Sequence, residues 1–245
     1  MLGVDRRTVM KAVAIGALTA MNPFASAQAE PGSDDLQNAR VPPPNGLLTR
    51  LPSEGNRLAL TVDDGKDPAV VAAFGAFARD TGTRLTFFVN GVNESWSINA
   101  PLLRPMVDSG QIQMANHTWS HLDLTKLSLD AVADQIQRNK DFLTNTYGVD
   151  GTPYLRPPWS LHNSNTDRVA ADLGYTTITL WSADLGDSLP ISEGLFISNA
   201  DYLFHGGQIV LSHANDPATV RRYPKLLDIL SRRNLKTVTL NEVFG

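Results

Sequence analysis

A chain of 245 residues with 42% hydrophobic and 19% charged side chains can bury one substantial core and has the composition of an ordinary globular domain. Its formal charge of −4 argues against nucleic acid as a partner, which calls for a basic face. With no cysteine, disulfide staples, thiolate zinc sites and iron–sulfur clusters are excluded, so any metal must sit among nitrogen and oxygen donors.

Residues 1–27 read as an export signal. Asp5-Arg-Arg-Thr-Val-Met-Lys11 precedes an apolar stretch, Ala12 to Met21, and a small-residue site, Ala25-Ser-Ala27, which are the three regions of such a signal. Arg6 and Arg7 side by side point to the twin-arginine route, and so to an extracellular, periplasmic or cell-wall location. The apolar stretch is well short of the roughly 20 residues a membrane span requires. Cleavage after Ala27 removes three cations and one anion, leaving 18 basic against 24 acidic residues and a formal charge of −6. Residues 28–55 are rich in Pro, Asn, Ser and Asp and lack apolar periodicity, as expected of a flexible leader. Residues 56–245 are expected to form one catalytic domain.

Within that domain short apolar runs alternate with longer helical patterns. Strands are predicted near Leu58–Val62, Leu85–Val89, Ile112–Ala115, Tyr154–Arg156, Thr176–Leu180, Gln208–Ser212 and Lys236–Thr239. Helices are predicted over Pro68–Thr81, which opens on proline, Ala100–Ser109, Ser128–Tyr147, which closes before Gly148, and Ala218–Arg233, where Pro224 is expected to kink the helix or delay its start. Regular alternation of strand and helix predicts a parallel sheet. Seven strands suggest an α/β fold, a distorted, incomplete (β/α)7 barrel, with a doubly wound open sheet as the alternative.

The polar residues fall where a barrel carries its chemistry. Asp63 and Asp64, Asn116 and His117, Arg156, Trp181 and Asp184, and His213 all lie at or just beyond the C-terminal ends of predicted strands, which share one rim. His117 and His121 stand four residues apart, a spacing that brings two imidazoles to one face of a helical turn. With Asp64 they make a three-ligand set that leaves one position on a catalytic zinc open for water. Asp63, beside a carboxylate neutralised by the cation, is placed to act as general base. Arg156, ahead of Pro157-Pro158-Trp159, is placed to hold Asp63 ionised and oriented, with Pro158 and Trp159 shaping the pocket wall. His213 is expected to donate the proton to the leaving group, with Asp184 orienting its ring and raising its pKa. His162 and His205 show no paired acid, Asp123 and Asp187 are expected at the surface or behind the site, and packing is the commoner fate of Trp119 and Trp181.

In order and spacing, Thr61-Val-Asp-Asp-Gly65, His117-Thr-Trp-Ser-His121, Arg156-Pro-Pro-Trp159, Asp184 and Leu211-Ser-His213 resemble the five signature motifs of the polysaccharide deacetylase family, the NodB-like carbohydrate esterases. The resemblance covers roughly Arg57 to Phe244. It implies a deformed barrel with a divalent metal, most often zinc, with cobalt, manganese or nickel as alternatives, that removes acetyl groups from N- or O-acetylated sugars through a tetrahedral intermediate. By the same resemblance Asp63 is the base, Asp64, His117 and His121 hold the metal, Arg156 positions Asp63, His213 is the acid, and the backbone N–H of Trp159 stabilises the oxyanion. Two positions depart from the family pattern: Val62 stands for a phenylalanine, and Asp184-Leu-Gly-Asp187-Ser188 lacks the tryptophan that follows the second aspartate. The expected function is an exported metal-dependent hydrolase acting on an acetylated cell-wall or extracellular polysaccharide or oligosaccharide. Hydrolysis of a small amide or imide on the same fold, and non-catalytic glycan binding, are the alternatives.

Overall fold

The computed structural model describes residues 40–245; the expected export signal over 1–27 lies outside them. Among the described residues no helix is long and apolar enough to cross a membrane.

Among the described residues nine strands form one sheet: β1 (Gly46–Leu48), β2 (Arg57–Asp64), β3 (Leu85–Val89), β4 (Ile112–Asn116), β5 (Tyr154–Leu155), β6 (Thr177–Thr179), β7 (Ala183–Asp184), β8 (Ile209–His213) and β9 (Lys236–Thr237). Their order is β1-β6-β5-β4-β3-β2-β8-β7, with β9 paired to the start of β2, and every ladder is parallel. The expected incomplete barrel forms, with β1 and β7 added to the seven strands predicted.

β2 lies inside the sheet between β3 and β8, and all eight of its residues are buried. Successive strand side chains point to opposite faces, and two cores follow from that alternation. Leu58, Leu60 and Val62 join Leu85, Phe87, Val89, Ile112 and Met114 in the larger core, with Val71 and Phe74 of helix α1 (Pro68–Thr81) and Tyr223 of the helix Pro217–Arg232. Ala59, Phe88, Ala115 and Ile209 face the other way, into a core shared with Tyr154, Leu48, Leu51, Val243 and Phe244. Each fully buried large apolar side chain contributes about 1.5–3 kcal/mol.

The helices are α1, α2 (Glu94–Ile98), α3 (Ala100–Asp108), α4 (Leu129–Tyr147), α5 (Ser164–Asp172), α6 (Glu193–Leu203), α7 (Pro217–Arg232) and α8 (Leu240–Val243). Helix α1 starts where expected because the Asp67 carboxylate accepts from the N–H of Ala69 at 2.7 Å and Pro68 needs no partner. Asp216 caps α7 in the same way, so Pro224 does not delay it. α2, α5, α6 and α8 were not anticipated; α5 is only nine residues long and is held by an Asn163–Thr166 capping box rather than by a long apolar stripe.

Of the expected leader over 28–55, residues 28–39 lie outside the described ones, and the rest joins the fold. Residues 46–48 pair with 177–179 as β1, Leu51 donates to the Gly207 carbonyl at 2.9 Å, and Val41 bridges to Phe244. Leu48 and Leu51 are buried, and the backbone of residues 53–55 passes so close to Gly206 that a Cβ there would lie 1.5 Å from the Gly55 carbonyl oxygen. Two leucines amid prolines carry no periodicity, so burial against a partner far along the chain decides the structure.

Candidate active site

Asp63 and Asp64 occupy the end of β2, where strict alternation would turn the second carboxylate away from the first. Asp64 instead has φ 73°, and both carboxylates face the same mouth. The turn is held by two donors on the Asp64 carbonyl, Trp96 Nε1 and Asn93 Nδ2, each at 2.9 Å. Gly65 follows because a Cβ there would lie 2.4 Å from the Trp96 ring.

His117 and His121 converge, but not from a helical turn as expected. Residues 117–121 form a loop after β4, with Thr118 at φ 69° and His121 at φ 57°, and the two rings meet with centroids 4.9 Å apart. Asn116 pins the loop: its Oδ1 accepts from the Thr118 N–H and from Asn139 Nδ2, both at 2.8 Å, while its Nδ2 donates to the Ile136 carbonyl at 3.1 Å. Trp159 and Ser160 are also left-handed, at φ 52° and 61°. Five of the six non-glycine residues with positive φ among the described residues thus sit at this mouth, each at a cost on the order of 1–3 kcal/mol that the surrounding bonds must offset.

Arg156 is wholly buried. Its Nη1 donates to Asp63 Oδ1 at 2.6 Å and to Thr61 Oγ1 at 2.9 Å, Nε to the Thr179 carbonyl and Nη2 to the Leu180 carbonyl, both at 3.1 Å. The guanidinium lies 3.9 Å over the Phe88 ring, so the apolar core is the floor on which the site is built. The Arg156 carbonyl accepts from His117 Nδ1 at 2.6 Å, which leaves the His117 Nε2 lone pair facing the carboxylates.

Asp64 Oδ1 lies 3.5 Å from His117 Nε2 and 3.4 Å from His121 Nε2, and it is buried without a hydrogen-bond partner. Two donors on a tetrahedral ion at about 2.1 Å lie roughly 3.4 Å apart, so the orphaned oxygen and the two imidazoles fit a divalent cation. The three donor atoms all lie within 4.8 Å of one another. Protonation states agree: burial pushes His121 down to about 4, aided by His117, so its ring is neutral. Burial raises the Asp64 carboxyl, but the two imidazoles and the Asn215 amide outweigh it and hold Asp64 well below the usual carboxylate range.

His213 stands in register with Asp63 on the neighbouring strand. Its Nδ1 bonds Asp187 Oδ1 at 3.0 Å, and Asp187 Oδ2 accepts from Ser212 Oγ at 2.5 Å and from the His213 N–H at 3.2 Å. The expectation for Asp184 is therefore corrected. Its Oδ1 accepts from the Gly186 N–H at 2.7 Å, building the turn that carries Asp187, three residues on, back over His213. Burial opposes charge on His213, yet the Asp187 hydrogen bond and the nearby carboxylates win, and its pKa is raised.

A cavity of about 350 Å³ holds Asp63, Asp64, His117, His121, Trp159, Asp184 and His213 in its wall, with Lys66, Pro157, Trp181, Ser188 and Asn215, of which Lys66 and Asn215 were not anticipated. Pro158 is corrected from wall to interior: it is buried under the loop, and Pro157 lines the cavity instead. Trp159 is 60% exposed and packs edge-on to His121 at 4.4 Å. His162 does have an acid partner, Asp167 at 3.0 Å, whereas His205 bonds only the Tyr202 carbonyl. Trp119 packs with Arg138 and Phe142, and Asp123 caps the short turn at Leu124–Lys126. A larger hollow of about 580 Å³ opens beside Ile112, Lys140 and Asn241, at the opposite end of β4 from the imidazoles.

Residues 50–178 match the family described as polysaccharide deacetylase. A chitin deacetylase of Arthroderma benhamiae is 28% identical over 210 residues, 82% of this chain and 55% of that protein. A peptidoglycan-N-acetylglucosamine deacetylase of Listeria monocytogenes is 28% identical over 210 residues, 85% of this chain and 43% of that protein. The chain thus spans about half the length of these curated relatives. Among solved structures, the chitin deacetylase of Colletotrichum lindemuthianum superposes with a TM-score of 0.73 at 24% identity, covering 84% of this chain and 93% of that one, a likeness of fold.

Proposed function

Since this chain belongs to the polysaccharide deacetylase family, we propose that it is an exported, metal-dependent hydrolase that removes acetyl groups, N-acetyl foremost, from an acetylated polysaccharide or oligosaccharide. The observation that carries the reading is the orphaned Asp64 Oδ1 between His117 and His121, flanked by Asp63 held by Arg156 and His213 held by Asp187. Asp64, His117 and His121 would hold a divalent cation, zinc by donor type, which would supply Lewis-acid charge and lower the pKa of the attacking water. Asp63 takes the proton of the attacking water on Oδ2, because Oδ1 is engaged by Arg156. Arg156 fixes that carboxylate in direction. His213 gives its Nε2 proton to the sugar nitrogen as the acyl carbon–nitrogen bond breaks and acetate departs, and Asp187 on Nδ1 keeps the ring charged until then. Trp159, exposed beside His121, offers a face for a sugar ring.

The curated relatives named for chitin and for peptidoglycan N-acetylglucosamine deacetylation support N-acetylated amino sugars as the substrate class. Acetate release from chitooligosaccharides, peptidoglycan and acetylated xylan is the test, with activity expected to vanish on chelation and return with zinc or cobalt. Failure of the metal-loaded protein to release acetate from any of them refutes the reading. Ser188 in the cavity wall, where the family pattern has tryptophan, favours a second reading, a small non-sugar amide or imide; turnover of cyclic amides exceeding that of acetyl-sugars would establish it.

A further inference from the structure

The two oxygens of Asp64 have different surroundings. Oδ1 faces the imidazoles and accepts no hydrogen bond, whereas Oδ2 accepts from Asn215 Nδ2 at 2.6 Å. Asn215 reaches it from two residues beyond His213, on the chain leaving β8, where the Ala214 N–H is tied to the Asp63 carbonyl at 2.9 Å. The other end of its amide is also engaged: Asn215 Oδ1 accepts the Lys66 backbone N–H at 3.2 Å. That second bond settles which way the amide points, since a flipped amide would set oxygen against carboxylate and NH₂ against N–H.

We propose that Asn215 is a positioning residue that makes Asp64 a one-oxygen metal ligand, an inference that rests on the metal-dependent reading of the site. A free carboxylate can bind a cation through one oxygen or both. Asp64 needs an external hold because its backbone has left the strand conformation at φ 73°, so no pleat fixes its side chain. The Asn215 donor satisfies Oδ2 and presents Oδ1 to the imidazoles. Being neutral, the amide does this without adding charge to a mouth that already holds Asp63 and Asp64. Because Asn215 and His213 leave the same strand, the acid and the hold on the metal ligand are set by one stretch of backbone. Asn215 is half-buried, so truncating it opens no core cavity.

The test is the zinc dissociation constant of the intact protein, measured without substrate by competition with a chromophoric chelator, for Asn215→Ala and Asn215→Ser. Loss of such a supporting hydrogen bond weakens metal binding by about 10- to 100-fold, and that shift is expected for alanine, with a smaller one for serine. The metal-free melting temperature is expected to fall modestly, as the loss of one hydrogen bond to a carboxylate requires, while the affinity for zinc falls by the larger factor. A dissociation constant unchanged in both variants overturns the proposal, as does a lowered metal-free melting temperature with unchanged affinity, the signature of a purely structural amide. Should the alanine variant fail to fold, the serine variant decides alone. An unaltered protein that binds zinc yet releases no acetate overturns the deacetylase reading but not this one; a protein that binds no divalent ion overturns both.

Discussion

Replacing Asp187 by Asn separates the role of that residue from the one expected of Asp184. Asp187 is 3% exposed and accepts three hydrogen bonds, from Ser212 Oγ, the His213 N–H and His213 Nδ1. Asparagine keeps the shape and one oxygen acceptor but loses the charge. A hydrogen bond to a charged group contributes about 1.5–3 kcal/mol, so stability is expected to fall by a comparable amount, read from urea denaturation. The larger effect is on His213. Burial alone lowers its pKa; the Asp187 hydrogen bond, with the neighbouring carboxylates, turns the net shift upward. Without Asp187 burial gains the upper hand, and the fraction of protonated acid at neutral pH falls. The alkaline limb of the kcat/KM profile therefore moves to lower pH, and kcat at neutral pH falls by roughly 10²- to 10⁴-fold, the usual worth of a positioned general acid.

The sign on stability is fixed too. A histidine whose folded pKa is raised stabilises the fold below its unfolded pKa, and that contribution fades as pH rises through the folded value. Asp187→Asn should therefore cost more stability on the acid side of the His213 titration than on the alkaline side. Asp184→Asn, whose carboxylate accepts a hydrogen bond from the Gly186 N–H and none from His213, is the control and should leave the alkaline limb in place. A limb that moves with Asp184 and not with Asp187 would refute the reasoning.

Three further outcomes follow from the geometry. Arg156→Met leaves Asp63 as a buried carboxylate without its partner and should destabilise the protein by about 3–5 kcal/mol, measured by chemical denaturation, with deacetylation lost. Zinc at about 100 times its dissociation constant should stabilise the fold by about 2.7 kcal/mol, a rise in melting temperature of roughly 5–10 °C, and His121→Ala should abolish the rise. Leu51→Ala should cost about 2–5 kcal/mol because Leu51 is buried in the same core as Phe88 and Phe244; a change near zero would mean that residues 46–51 are not part of the folding unit.

What the sequence made legible was chemistry that stays within a few residues. Asp63-Asp64, His117…His121 and Arg156 are reactive types at the ends of apolar runs, and strand ends on one edge of a parallel sheet must share a rim. The conformation that brings them together was not legible in the same way. Spacing of four between histidines reads as a helical turn, yet the rings meet through left-handed residues whose cost is met by Asn116, Asn90 and Asn139 reaching from three different segments. The choice between Asp184 and Asp187 turns on a single loop around Gly186, since both flank the same Leu-Gly pair and either carboxylate has the right chemistry. Only the register of Ala183 against Val210 and Asp184 against Leu211 decides that the first caps the turn and the second reaches His213. β1 was hidden for a related reason: three residues carry no periodicity, and the partner strand lies far along the chain. Asn215 has no titratable group to mark it, so only its 2.6 Å contact with Asp64 gives it a role. Where a residue acts on its own chemistry, its type and neighbours suffice; where it acts by holding another, the partner is set by sheet register, and local sequence does not encode the pairing.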